Sequence, residues 1–404
     1  MSVSAPALEF NPRVASMQPS ATLAMTAKTK ERRRAGFPVI GLSAGEPDFD
    51  TPKPIAEAAI EAIHDGFTHY TENAGMLPLR EAISAKLARD NGLTYAPGQI
   101  LCSNGAKQSV ALAISALCGP GDEVLVPAPF WVSYPEMVRF AGATPITVPT
   151  SVSNDYRLDL DTLEQHLNDN TRMLILCSPS NPTGSVYPRE ELEALAALLQ
   201  KYPQVFVLSD EIYEYVVYDA EHVSFASLPG MYDRTVTING FSKGFAMTGW
   251  RLGYMAAPTP IVKACSKIQS QFTSAPCSIT QKAGAAALGM DKAYIDEMVV
   301  AFRGRRDFML ERLNSIDGVY CPKPEGAFYL FPDIHTFFGK TSSSGRAIND
   351  SNDLCFYLLE EHNLALVPGA AFGEPNGLRI SYAASMEDLT EAMRRFEAGL
   401  AELS

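Results

Sequence analysis

From Gln99 onward, short apolar runs alternate with longer stretches whose apolar residues recur at helical spacing. Ile100–Ser103, Glu123–Pro127, Thr144–Val148, Met173–Cys177, Val205–Ser209, Thr235–Ile238 and Leu252–Ala256 are strand-like runs rich in Val, Ile and Leu. Gln108–Leu117, Tyr134–Phe140, Leu160–Asn168 and Glu190–Gln200 read as the helices between them. Strands that are apolar throughout are buried on both faces, so this alternation predicts an α/β fold: a mostly parallel seven-stranded sheet with helices on either side. Upstream, Thr26–Arg34 reads as a short helix with a solvated basic face, and Val39–Leu42 as a short strand. Pro54–His64 reads as a helix with Ile55, Ala59, Ile60 and Ile63 on one stripe, and Leu79–Asn91 as another helix. After Pro258 the pattern changes to the helices Ile261–Gln271, Ser278–Met290 and Asp291–Leu313. A smaller α+β region follows, with strands near Gly326–Phe331, Leu364–Val367 and Leu378–Tyr382 and a Gly- and Ser-rich loop at Phe337–Asp350. Two domains are expected: residues 53–295 as the larger, and residues 13–52 plus 296–404 as the smaller.

Composition narrows the function classes. The chain has 404 residues, 46% hydrophobic and 20% charged, which suits a globular enzyme. A net charge of −13 argues against a nucleic-acid surface, so an anionic substrate must meet a local cluster of cations. The seven cysteines are scattered with no CxxC, and the six histidines show no ligand spacing. A cytoplasmic protein without a metal site is expected. No apolar run reaches membrane-span length, and Met1–Asn11 has no secretory pattern.

The candidate chemistry lies just after strands, where open α/β sheets place ligands. Lys243 stands between Ser242 and Gly244 after Thr235–Ile238, with Arg251 eight residues on. A lysine amine forms a Schiff base with a carbonyl, which is how pyridoxal 5′-phosphate (PLP) is held, and an arginine fork suits its phosphate. A surface lysine and a salt-bridged arginine are the plainer alternative. Asn104–Lys107 opens a helix and so offers free N–H groups to a phosphate, or Asn104 is only an N-cap. Trp131 could stack on a pyridine ring, or be core. Asn181 could donate to a phenolic oxygen, or belong to an Asn-Pro turn. Asp210 ends an apolar strand and could pair with a pyridine nitrogen, or cap a helix, and Tyr213 follows it. Arg379 lies in the apolar strand GLRISY, where it needs a partner: a substrate carboxylate or a structural salt bridge.

Taken together, Ser242-Lys243 with Arg251, SPSNPTG at Ser178–Gly184, SDEIYE at Ser209–Glu214 and AGEPDFDTP at Ala44–Pro52 resemble the PLP-dependent class I aminotransferases. NGAKQS, PAPFWVSYPEM, LILCSPSNPTGSVYP and FASLPGMYDRT resemble the subgroup of bifunctional aspartate/prephenate aminotransferases. The resemblance implies the fold type I of PLP-dependent transferases and transamination between aspartate or glutamate and 2-oxo acids, with prephenate as a further acceptor. It implies that Lys243 holds the cofactor covalently and moves the substrate proton. Asp210 would meet the pyridine nitrogen, Asn181 and Tyr213 the phenolic oxygen, and Trp131 the ring face. The amides of Gly105, Ala106 and Lys107, with Ser242 and Arg251, would hold the phosphate. Tyr70 would reach the phosphate of a neighbouring subunit in a homodimer. Arg379 would clamp the α-carboxylate beside Gly45 and Asn181, and Lys107 with Thr22 would bind the distal carboxylate. One position departs from the prephenate-active pattern: Gln18 precedes Pro19-Ser20 where those relatives carry lysine. An aspartate aminotransferase without prephenate activity, an aromatic aminotransferase, a β-lyase, and a PLP-binding regulator without turnover are the competing readings.

Overall fold

The computed structural model describes residues 10–404. Its centre is a seven-stranded sheet built from β1 (Ile100–Ser103), β2 (Glu123–Ala128), β3 (Thr144–Pro149), β4 (Thr171–Cys177), β5 (Phe206–Asp210), β6 (Thr235–Gly240) and β7 (Gly253–Ala256). The spatial order is β1-β7-β6-β5-β4-β2-β3. All pairings are parallel except those of β7, which runs against both of its neighbours. The inner strands are apolar because helices cover both faces: every residue of β1, β6 and β7 is buried.

This topology gathers the chemistry at one edge. Parallel strands deliver the segments after β1, β2, β4, β5 and β6 to their common carboxyl end. Because β7 is reversed, the residues before it, Arg251 and Leu252, arrive at that same edge. Helix α1 (Ala21–Arg34) comes from the N-terminal segment, α2 (Lys53–His64) and α3 (Leu77–Asn91) follow it, and α4 (Ala106–Leu117) begins where β1 ends.

The C-terminal part supplies a second layer. Its antiparallel three-stranded sheet has β8 (Tyr329–Leu330), β9 (Val367–Pro368) and β10 (Leu378–Ser381) in the order β9-β10-β8. Met25, Val39, Ile40 and Leu42 join its core with Phe302, Phe328 and Tyr382, and Ile40–Gly41 pairs in parallel with Leu364–Ala365. The N-terminal segment therefore packs against the C-terminal region.

Several expectations need correction. Ser20 Oγ accepts from the Leu23 N–H, so α1 starts at Ala21 rather than Thr26. Its basic face is not merely solvated. Arg32 donates to Glu360 O and Asn363 Oδ1, and Arg33 to Val39 O. On α2 the buried stripe is Ile55, Ala59 and Ala62, while Ile60 and Ile63 are about half exposed. The 3.6-residue period places 55, 59 and 62 on one line. The loop at 337–350 holds a small hairpin, Lys340–Thr341 against Ala347–Ile348. Asn104 is no N-cap: Gly105 occupies that place without a side-chain bond. Asp210 caps no helix, because a turn follows it.

Candidate active site

A cavity of about 430 Å³ opens at the carboxyl edge of the large sheet, between it and the second layer. Its wall contains Thr22, Gly45, Ala106, Lys107, Trp131, Asn181, Asp210, Tyr213, Ser242, Lys243, Arg251 and Arg379. These are nearly all the residues singled out from the sequence. Gly105 lies just behind the wall, and Tyr70 stands apart on a loop, 99% exposed.

Lys243 reaches this cavity because β6 ends at Gly240 and the chain turns sharply. Its ammonium donates to Gly45 O. Protein walls the side chain in, and burial, followed by the charge of Arg379, pushes its pKa down to about 8. The amine therefore loses its proton far more readily than an ordinary lysine.

Asp210 faces Lys243's side of the cavity from the end of β5. Tyr134 Oη donates to its Oδ2 at 2.7 Å and the Ile212 N–H to its Oδ1 at 3.3 Å. Burial still outweighs those donors and pushes its pKa up to about 6. A carboxylate so placed is stabilised by any cation that enters the cavity.

Arg379 projects from the middle of β10 and is 2% exposed. Nη1 donates to Asn181 Oδ1 at 3.0 Å and Nη2 to Ser43 O at 2.7 Å. Nε is buried without a partner. The rings of Tyr329 and Phe372 lie 4.6 and 5.1 Å from the guanidinium carbon. Because Asn181 spends its carbonyl on Arg379, its amide N–H groups remain to donate to a ligand. Tyr213 Oη lies 2.8 Å from Tyr329 Oη, and burial lifts the Tyr213 phenol well above its ordinary pKa.

The opposite end of the cavity is made by α4 and Arg251. The Ala106 and Lys107 N–H groups, at the start of α4, have no intrahelical acceptor. The Gly105 N–H already donates to Ser103 O at 2.8 Å, so its contribution is steric rather than as a donor. With φ of +82°, a Cβ at Gly105 would lie 2.5 Å from Arg251 Nη2. Gly253 is as confined: a Cβ there would sit 2.2 Å from Ala106 N. Both glycines let the start of α4, Arg251 and β7 converge. Arg251 itself has φ of +56° and donates to Thr248 O at 2.9 Å and Asn104 O at 3.4 Å. Lys107 Nζ stands 4.9 Å from the Trp131 ring, and burial, then the charge of Arg251, lowers its pKa.

The charge pattern is the telling feature. Among the described residues, Lys107, Lys243, Arg251 and Arg379 make no salt bridge, yet all four line one cavity of a chain with net charge −13. They form the local cationic cluster that an acidic protein needs for an anionic ligand. The donor set also fits PLP. A phosphate suits the free N–H groups of α4 with Ser242 and Arg251, and a carbonyl suits the Lys243 amine. A pyridinium suits Asp210.

Sequence reasoning missed Tyr134, Tyr329, Cys177 and Glu46, which also line the cavity. Tyr134 and Cys177 lay inside quoted motifs but read as helix and strand. Glu46 Oε2 accepts from Thr248 Oγ1 at 2.9 Å, a contact across 202 residues that no local pattern reveals. The three-residue group Glu211, Glu214 and His222 likewise arises only in the fold.

Comparison with known proteins agrees with this geometry. Residues 38–396 match the family model for aminotransferase class I and II. The chain is 55% identical to a bifunctional aspartate aminotransferase and glutamate/aspartate-prephenate aminotransferase of Petunia hybrida, over 97% of this chain and 83% of that one. It superposes on the aspartate aminotransferase of Rhizobium meliloti with a TM-score of 0.95, at 42% identity and over 98% and 100% of the two chains. The aspartate aminotransferase of Thermus thermophilus with maleate gives a TM-score of 0.91, at 40% identity over 97% and 100%. The chain belongs to the class I and II aminotransferases, a PLP-dependent family of fold type I.

Proposed function

We propose that this chain transfers amino groups between aspartate or glutamate and the 2-oxo acids oxaloacetate and 2-oxoglutarate, and converts prephenate to arogenate. The observation that carries the reading is that four cations without salt-bridge partners among the described residues share one cavity wall with Asp210. Two of them, Lys107 and Arg379, are available for the two carboxylates of a dicarboxylic substrate, and the relative solved with maleate is named for such a ligand. The Petunia hybrida relative's name supports prephenate as an acceptor.

When bound, PLP supplies a carbonyl for the amino group and a ring that takes up the electrons released at the substrate's Cα. Lys243 Nζ would hold the group between turnovers and, once the substrate's amine has taken its place, would move the proton off Cα as general base. Its lowered pKa keeps a large neutral fraction near pH 8, as a general base needs. Asp210 holds the ring nitrogen protonated, steadied by Tyr134. Asn181 and Tyr213 donate to the phenolic oxygen, and Trp131 covers the ring. The Ala106 and Lys107 amides, Ser242 and Arg251 hold the phosphate. Arg379 binds the α-carboxylate as a planar fork beside Gly45, which fixes the Cα–H bond relative to Lys243. Lys107 and Thr22 receive the distal carboxylate.

Residues 53–295 act as a cofactor domain, and residues 13–52 with 296–404 as a second domain that meets it at the cavity. The active unit is a homodimer, to which the exposed Tyr70 contributes across the interface. A reducing cytoplasm suits seven cysteines that are all free. No described helix is long and apolar enough to cross a membrane.

The test is to compare, with PLP present, amino transfer from glutamate to oxaloacetate and to prephenate. Transfer to both is expected. Transfer to oxaloacetate alone would remove prephenate and leave an aspartate aminotransferase. Multiple-turnover activity retained in Lys243→Ala would defeat the whole assignment.

A further inference from the structure

Neighbouring side chains on a strand point to opposite faces. At the end of β5 this sends Asp210 into the cavity and Glu211 behind it. Glu211 is 1% exposed and its carboxylate is fully engaged. It accepts from Ser209 Oγ at 2.8 Å, Ser224 Oγ at 2.6 Å and the Phe225 N–H at 3.3 Å, and His222 Nε2 lies 3.1 Å away.

The network continues away from the cavity. Ser224 Oγ accepts from Asn91 Nδ2 at 2.7 Å, and the same nitrogen donates to Glu214 Oε2 at 2.8 Å. Lys86 donates to Asn91 Oδ1 at 2.7 Å and pairs with Glu214. Glu211, Glu214 and His222 resemble a set of metal ligands, but the Lys86 ammonium already neutralises Glu214. The group is thus a hydrogen-bonded polar network whose buried orphan, among the described residues, is His222 Nδ1.

Stability alone is a weak reason to bury such a network, since apolar packing serves as well. Its hydrogen bonds do fix the geometry of the groups they join. Pairing with Cys177 on β4 and Ile238 on β6 already sets the Asp210 backbone, so what the network adds is a hold on the turn that follows Glu211, where no helical ladder does so. Burial pushes the Glu211 carboxyl up, but the His222, Ser224 and Ser209 donors outweigh it and hold the group below its usual pKa. The Glu211 N–H also donates to Ile238 O on β6 at 2.9 Å.

We propose that Glu211 and His222 are positioning residues: anchored behind the sheet, they set the orientation of the Asp210 carboxylate toward the cofactor's ring nitrogen. This rests on the PLP reading above, so the wild-type chain is titrated with PLP first. A wild type that binds none overturns that reading and this inference with it.

The variants are His222→Ala, His222→Gln and Glu211→Gln. Each is measured for PLP affinity, the visible circular dichroism of the bound cofactor, kcat and KM for aspartate, and thermal unfolding of the apoprotein. His222→Ala and Glu211→Gln should lower kcat at least tenfold, leave KM within twofold and weaken PLP at least fivefold, with an altered dichroic band. His222→Gln keeps an N–H donor near the position of Nε2 and should recover most of the loss. Variants that shift only the unfolding temperature, with kcat, PLP affinity and the dichroic band within twofold of wild type, overturn the proposal. If Glu211→Gln does not fold, the two His222 variants decide between these outcomes, because that side chain sits at the solvent edge of the network.

Discussion

Replacing Arg379 by methionine tests the central electrostatic claim about the cavity. The change keeps much of the side-chain volume against Tyr329 and Phe372 and removes the charge. Truncating one partner of a buried, hydrogen-bonded charge pair costs about 2–5 kcal/mol. At about 1.4 kcal/mol per factor of ten, that is roughly a 30- to 4000-fold fall in kcat/KM for aspartate. The apoprotein should respond quite differently. It loses the bonds to Asn181 and Ser43, at about 1.5–3 kcal/mol each for a charged donor. It also sheds the desolvation cost of an ion with no salt bridge among the described residues, about several kcal/mol. The two terms nearly cancel, so the apoprotein should unfold within about 3 °C of wild type. The assays are steady-state kinetics and thermal unfolding of apoprotein. A kcat/KM within about threefold of wild type would refute the reasoning. So would a large loss of apoprotein stability, since Arg379 would then be a structural ion.

Three other outcomes follow from the same site. Lys243 has a folded pKa of about 8 against 10.5 for the free side chain, so its neutral form favours the folded apoprotein. The apoprotein's stability relative to Lys243→Met should rise from pH 8 to 10.5 by about 3 kcal/mol and shrink again as pH falls through 8, as read by unfolding midpoints across pH. Tyr134→Phe removes a donor that favours ionised Asp210, so the Asp210 pKa should move further above about 6. The acid limb of the kcat/KM profile should then shift to higher pH, and an unmoved limb would show that Tyr134 does not govern that carboxylate. Gln18→Lys adds a cation to the segment that leads into α1, and should raise kcat/KM for prephenate while leaving that for oxaloacetate within about twofold. Its backbone N–H is held by Glu136 Oε2 at 2.8 Å, so the exchange alters only the side chain.

The large sheet and most of the site were legible in the chain's local pattern. Strands buried on both faces must be apolar throughout, so their runs stand out from the helices between them. The residues at the ends of those runs share one edge in a parallel sheet. That is why Lys243, Asp210, Asn181 and the start of α4 could be named as a group before any fold was known. The rest depended on long-range packing. The reversal of β7 makes Arg251 part of that edge, and pairing register is set by contacts between distant segments. Ile60 and Ile63 fit a helical stripe, yet α2 buries Ala62 instead, because the packing partner selects the face. Asn104 and Asp210 sit in sequences that suit caps, but Gln108 engages Asn104 and a turn follows Asp210. Tyr134 and Asp210 are 76 residues apart, and Asn181 and Arg379 are 198 apart. Local propensity carries no information at such separations. Hydrogen bonds between groups buried together exist only once the chain has closed around them.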